Sequence, residues 1–99
     1  MKVAIIGGTG KLGQSLASRV EGVHELVIGS RNRGRAEEAA LSIGGSVVGM
    51  ANKDAASWCD LAILALPYAA EQTVLEELRP ALSGKILIDT TVPIDPENL

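Results

Sequence analysis

Short apolar runs rich in β-branched residues recur along the chain: Val3–Ile6, Leu26–Ile28, Val47–Val48, Leu61–Leu66 and Ile86–Ile88. They are apolar throughout rather than alternating, as expected of strands buried on both faces of a sheet. Their starts lie 23, 21, 14 and 25 residues apart, so each gap has room for a helix. Three of the four gaps carry helical periodicity. Leu12, Leu16, Ala17 and Val20 share one face in the first. Ala36, Ala39, Ala40 and Ile43 do so in the second, which stops at Gly44-Gly45. Val74, Leu75, Leu78 and Leu82 stripe the fourth, opposite Glu71, Gln72, Glu76, Glu77 and Arg79. The third, about Asn52 to Trp58, is short.

Five strands alternating with helices predict an α/β fold, a Rossmann-like doubly wound parallel sheet in the order 3-2-1-4-5. Right-handed crossovers then place helices on both faces. The topological switch falls between the first and fourth strands. Ligands bind at the carboxyl ends there, beside Gly7-Gly8 and Leu66-Pro67. No internal repeat, low-complexity tract or linker interrupts the pattern, so residues 1–99 are expected to form a single domain. Asp95-Pro96-Glu97-Asn98-Leu99 reads as an exit loop.

Composition narrows what such a domain can do. The chain is 46% hydrophobic, lacks Phe, and has Trp58 and Tyr68 as its two aromatics, so Ala, Val, Ile and Leu must build the core. A net charge of −3 and so few aromatics argue against a nucleic-acid binder. One cysteine, Cys59, excludes an internal disulfide framework and a CxxC redox or zinc module. The longest apolar run falls far short of the ~18 residues of a membrane span. Val3 to Ile6 is too short an apolar stretch for a signal peptide. The expectation is a soluble cytoplasmic chain.

After the first strand comes Gly7-Gly8-Thr9-Gly10-Lys11-Leu12-Gly13. Gly8, Gly10 and Gly13 satisfy GxGxxG, and Gly7, Gly10 and Gly13 satisfy GxxGxxG. In both, glycine permits the tight turn, the approach of backbone to a pyrophosphate, and close helix–strand packing. The next helix's N-terminus offers N–H groups and partial positive charge to that anion. A glycine-rich turn without ligand would share the spacing. The strand before it and the amphipathic helix after it favour dinucleotide binding.

The end of the second strand discriminates between dinucleotides. An NAD binder usually places Asp or Glu there, to hold the ribose hydroxyls. This chain places Gly29-Ser30-Arg31-Asn32-Arg33-Gly34-Arg35, with three of its five arginines within five residues. Cations at the start of a helix are disfavoured by its macrodipole. A compensating anion fits, and guanidinium forks match a 2′-phosphate; solvated surface arginines are the alternative. The expectation is NADP rather than NAD.

At the fourth strand's end, Pro67 fixes φ and offers a rigid wall for a flat ring, or simply ends the strand. Thr90-Thr91-Val92-Pro93 turns beside the same crevice. Other candidates carry less. His24 has no Ser, Asp or Cys arranged about it, and Cys59 reads as a small buried hydrophobe. Asp89 faces the crevice, where capping or a turn role competes with substrate binding. The sequence offers no metal-ligand set and no catalytic side chain.

Together these pieces resemble the N-terminal domain of the coenzyme F420-dependent NADP oxidoreductase family. The similarity covers essentially the whole chain. It is carried by the run from Met1 through Gly13, by His24-Glu25 leading into Ile28-Gly29-Ser30-Arg31, and by Cys59-Asp60-Leu61-Ala62-Ile63-Leu64-Ala65-Leu66-Pro67. The resemblance implies that Thr9, Gly10, Lys11 and Leu12 cradle the cofactor phosphates. Ser30, Arg31 and Arg35 would hold the 2′-phosphate, with Thr9 nearby. Leu66 and Val92 would line the nicotinamide end, beside Ala70. With Gly8 and Pro67 from the motifs, these form the expected cofactor site.

The implied reaction is hydride transfer between NADPH and a deazaflavin, coenzyme F420. Such transfer needs juxtaposition and exclusion of water rather than a protein nucleophile. Members of the family are about twice this length, so a homodimer or a second domain is expected to complete the crevice. The alternative is a stand-alone NADP(H)-binding module without catalysis of its own. A short-chain reductase would suit GxxGxxG too, but its Tyr-x-x-x-Lys pair is absent: Gln72 stands four residues after Tyr68.

Overall fold

The computed structural model describes residues 1–20, 22, 25–66 and 68–90. The elements are β1 (Lys2–Ile6), α1 (Lys11–Val20), β2 (Glu25–Ser30), α2 (Arg33–Ile43), β3 (Val48–Ala51), α3 (Asn52–Trp58), β4 (Leu61–Leu64), α4 (Tyr68–Leu82) and β5 (Ile86–Asp89). The strands form one sheet in the order β3-β2-β1-β4-β5, and every neighbouring pair is parallel. This is the Rossmann-like order expected from the sequence. Its register brings Met50, Gly29, Ile6, Leu64 and Asp89 into one row at the carboxyl edge.

Alternate residues of the inner strands feed two cores. Ala4, Ile6, Val27, Ala62 and Leu64 pack with Ala55 and Ala56 of α3 and with Val74 and Leu78 of α4. Val3, Ile5, Leu26, Ile28 and Ile63 pack on the other face with Ala17 of α1 and with Ala36 and Ala39 of α2. Alanine at the helix contacts draws the layers together. Gly49 of β3 extends this: a Cβ there would lie 2.3 Å from the Ala36 carbonyl carbon and the Glu37 nitrogen. Lys85, just before β5, donates from Nζ to the Ala56 and Ser57 carbonyls at 2.5 and 2.7 Å. A cation at that C-terminus of α3 complements the helix dipole.

Four elements depart from the sequence pattern. The run expected from Leu61 to Leu66 ends as a strand at Leu64, although the Ala65 N–H still donates to the Ile6 carbonyl at 2.9 Å. The run at Val47–Val48 becomes a strand from Val48 to Ala51, because pairing with β2, rather than its own apolar content, fixes the extent. Leu12, expected on the buried face of α1, is 50% exposed, and Gly13 occupies the buried position. β5 is not buried on both faces. Ile86, Leu87 and Ile88 are 54%, 43% and 44% exposed, because helices leave both faces of this end strand largely uncovered. No helix among the described residues is long and apolar enough to cross a membrane.

Candidate functional site

The chain leaves β1 through a turn whose glycines have different physical reasons. Gly7 has φ +76°, in the left-handed region. A Cβ on Gly8 would lie 2.7 Å from Cγ2 of Ile28, and one on Gly13 would lie 2.5 Å from the Gly8 Cα. These positions let α1 press against the strand ends. Gly10 is different: a Cβ there meets nothing within 4 Å, and its φ is not in the left-handed region. Packing accounts for three of the glycines and leaves Gly10 unexplained.

The backbone donors around the turn divide in the same way. The N–H groups of Gly7 and Gly8 both donate to the Gly29 carbonyl at 3.0 Å, so Gly8 contributes shape rather than a donor. Among the described residues, the N–H groups of Thr9, Gly10, Lys11 and Leu12 donate to no protein acceptor. The first helical bond of α1 runs from the Gln14 N–H to the Gly10 carbonyl. The turn therefore ends in a set of unpaired donors at the positive end of a helix, an anion-binding arrangement.

Two side chains that the sequence reading did not single out hold this turn. Gln14 donates from Nε2 to the Thr9 carbonyl at 2.8 Å. Asn52, buried where β3 passes into α3, accepts the Gly7 N–H on Oδ1 at 3.4 Å. The same oxygen would lie 2.7 Å from a Cβ on Gly29, so the penultimate residue of β2, a glycine, makes room for it. Asn52 and Gly7 are 45 residues apart in sequence, and no local motif announces the contact.

The basic segment is only partly gathered. Arg31 precedes the N-cap Asn32, whose Oδ1 accepts the Arg35 N–H at 3.2 Å; Arg33 and Arg35 alone open α2. Arg33 forms an exposed pair with Glu37 at 2.9 Å. Ser30 is buried, and its Oγ accepts the Asn32 N–H at 3.2 Å. Ser30 and Arg31 line a cavity of about 730 Å³ with Asn52, Lys53, Thr73 and Glu77. Arg35 lines a separate depression with Thr9, Gln14 and Glu38. The expected 2′-phosphate set is thus divided between two separate depressions, of which the one holding Arg35 also includes Thr9 of the turn.

Toward the other end of the crevice, Leu66 lies against the turn, where its Cδ2 would be 2.4 Å from a Cβ on Gly7. Ala70 follows, half-buried in the first turn of α4. Pro67, Val92 and His24 lie outside the described residues. Thr90 donates from its N–H and its Oγ1 to the Leu64 carbonyl, continuing the pairing of β5. Cys59 is buried and its Sγ donates to the Ala56 carbonyl at 3.4 Å. Burial pushes its thiol pKa up, which suits a packing residue rather than a nucleophile. No cluster of metal-binding side chains occurs among the described residues.

Asp89 is not a lone carboxylate. Buried Glu71 of α4 faces it, and hydrogen bonding to Asp89, burial and mutual repulsion raise the Glu71 pKa. A carboxyl held above its unfolded value stabilises the fold below about pH 4.5, and that contribution is lost as pH rises through the raised value. Glu71→Gln keeps a donor for Asp89 and does not titrate. The variant is expected to melt at the wild-type temperature near pH 4 and higher than wild type near pH 8. Parallel melting curves at all pH values would contradict the pairing.

Strand ends, glycine turn and switch point together define the class: a Rossmann-like α/β domain whose glycine turn carries unpaired N–H groups at the start of α1. Comparison with known proteins makes this particular. The chain belongs to the NADP oxidoreductase, coenzyme F420-dependent family, whose model matches residues 2–93. It is 45% identical over 104 residues to the F420-dependent NADP reductase of Methanothermobacter thermautotrophicus, covering 96% of this chain and 44% of that protein. It is 40% identical over 103 residues to the enzyme of the same name from Methanocaldococcus jannaschii, covering 95% and 46%. The chain therefore spans less than half the length of these curated relatives. A crystal structure of a candidate F420-dependent NADP-reductase from Arthrobacter sp. FB24 superposes with TM-score 0.79 at 28% identity, over 96% of this chain and 46% of that one. A lactate dehydrogenase from a Medee basin deep-sea metagenome shares the fold, with TM-score 0.76 at 21% identity over 95% of this chain and 38% of its own.

Proposed function

We infer that residues 1–99 are an NADP(H)-binding oxidoreductase domain that presents NADPH for hydride transfer to or from coenzyme F420 or a related acceptor. The observation that carries this reading is Gly10. It is the one motif glycine that packing does not explain, and it sits among the unpaired N–H groups of Thr9, Lys11 and Leu12. A pyrophosphate lying there would take those donors, and a side chain at Gly10 would obstruct it. Ser30, Arg31 and Arg35 would hold the 2′-phosphate. Leu66, with Pro67 and Val92, would line the nicotinamide end.

The nicotinamide supplies a hydride donor when bound. The chain's own part is to anchor the phosphates at the turn, to set the ring beside Leu66 and to keep water from one of its faces. Relatives named F420-dependent NADP reductases support F420 as the other substrate. A cytoplasmic location is part of this proposal; among the described residues no helix is long and apolar enough to cross a membrane. The exposed apolar strand β5 supports completion of the crevice by a homodimer or a second domain.

The discriminating side chain is Arg31. A charge-assisted hydrogen bond contributes roughly 1.5–3 kcal/mol, so Arg31→Ala is expected to weaken NADPH by about 10- to 100-fold. NADH affinity should barely change. Equal losses for both nucleotides in calorimetric titration would contradict a 2′-phosphate role.

A further inference from the structure

The cavity of about 730 Å³ draws its charge from three elements. Arg31 follows β2, Lys53 is the second residue of α3, and Glu77 faces them from α4. Two cations and one carboxylate give this lining a positive balance in a chain whose net charge is −3. The cations have no internal explanation. Among the described residues the one ion pair joins Arg33 to Glu37, and neither Arg31 nor Lys53 takes part in it. Lys53 also stands in the first turn of α3, where the helix dipole disfavours a cation.

We propose that Lys53 is a specificity-determining residue, the second cation of this cavity, which acts with Arg31 on the ribose 2′-phosphate. This rests on the NADP reading of the glycine turn and sharpens it. A phosphate monoester carries ≈ −1.5 to −2 charge near neutral pH, and on the side of this cavity Arg31 is the one guanidinium that meets it, since Arg35 lines a separate depression. Arg31 offers a planar fork and Lys53 a compact point charge, so the two engage different oxygens of one phosphate. Glu77 on the facing wall repels that phosphate and favours its placement on the sheet side of the cavity. Ser30 and Asn52, both buried, are polar parts of the lining between the cations. Without Lys53 the lining is left with one cation against one carboxylate, and its preference for an anion disappears.

The test is calorimetric titration of the wild type, Lys53→Gln, Lys53→Arg and Arg31→Ala with NADPH, NADH and 2′,5′-ADP. Lys53→Gln is expected to weaken NADPH and 2′,5′-ADP by about tenfold and to leave NADH unchanged. Lys53→Arg should retain most of the affinity, and the melting temperature without nucleotide should not move. The salt dependence of NADPH binding should become shallower in Lys53→Gln, since one cation no longer meets the phosphate. Unchanged NADPH affinity in Lys53→Gln, with Arg31→Ala still impaired, would overturn the role of Lys53 and leave the NADP reading standing. Equal weakening of NADPH and NADH would also overturn it, by removing its specificity for the 2′-phosphate. A wild type that binds NADPH no tighter than NADH would overturn both.

Discussion

Gly10→Val is expected to abolish binding of NADPH and NADH alike while the chain stays folded. The two halves of this expectation have separate physical grounds. A Cβ at Gly10 meets no protein atom within 4 Å, and the backbone there is not left-handed, so valine is sterically tolerated. The cost falls on the start of α1, because the Gly10 carbonyl accepts the first helical bond. An unfavourable N-cap costs about 1 kcal/mol, which lowers the melting temperature by roughly 4–8 °C in a domain of this size. Binding loses far more. The branched side chain occupies the space through which a pyrophosphate reaches the N–H groups of Thr9, Lys11 and Leu12. Loss beyond 100-fold should be seen in titration, with far-ultraviolet circular dichroism unchanged. Retained affinity for either nucleotide would show that the anion does not approach at this turn.

The second large effect concerns turnover. These 99 residues are expected to bind NADPH yet transfer hydride to F420 several hundredfold more slowly than the longer relatives do. Hydride transfer needs donor and acceptor carbons held roughly 3–3.5 Å apart, and such positioning is worth about 7–11 kcal/mol. The glycine turn and Leu66 form one wall of a crevice. Without a second wall, a loss of about 3.5 kcal/mol translates into several hundredfold in rate. Where a second copy supplies that wall through the exposed edge of β5, the specific rate should rise with protein concentration. Stopped-flow absorbance of F420 across a concentration series reads both. Full activity from a monomer at every concentration would contradict the requirement for a second wall.

Much of this architecture was legible because parallel strands and their crossover helices leave strong periodic signals. The Ala36, Ala39, Ala40 face of α2 and the Val74, Leu78 face of α4 are buried as their spacing requires. The pattern failed where burial depends on neighbours rather than on the segment. β5 has the composition of an inner strand, yet it lies at the end of the sheet where helices leave its faces largely uncovered. Leu12 has helical spacing, but the close approach of Gly13 to Gly8 turns that face of α1 inward instead.

The site divides along the same line. The glycine turn is a contiguous motif, and its place between β1 and α1 can be read from residue order alone. Asn52 and Gln14 reach it through hydrogen bonds that fold into place, and Lys53 joins Arg31 in a cavity wall, so these placements emerge only in three dimensions. Spacing also could not divide the arginines. The pairing of Arg33 with Glu37, and the separation of Arg31 from Arg35 into two depressions, depend on where α2 begins.

The central claim is that the turn and its flanking cations select NADP(H). Its most direct measurement is calorimetric titration of the unmodified chain with NADPH and with NADH at matched ionic strength. The predicted result is one site that binds NADPH at least tenfold more tightly than NADH, as expected where a 2′-phosphate gains a charge-assisted bond. Equal affinities, or tighter binding of NADH, would contradict it.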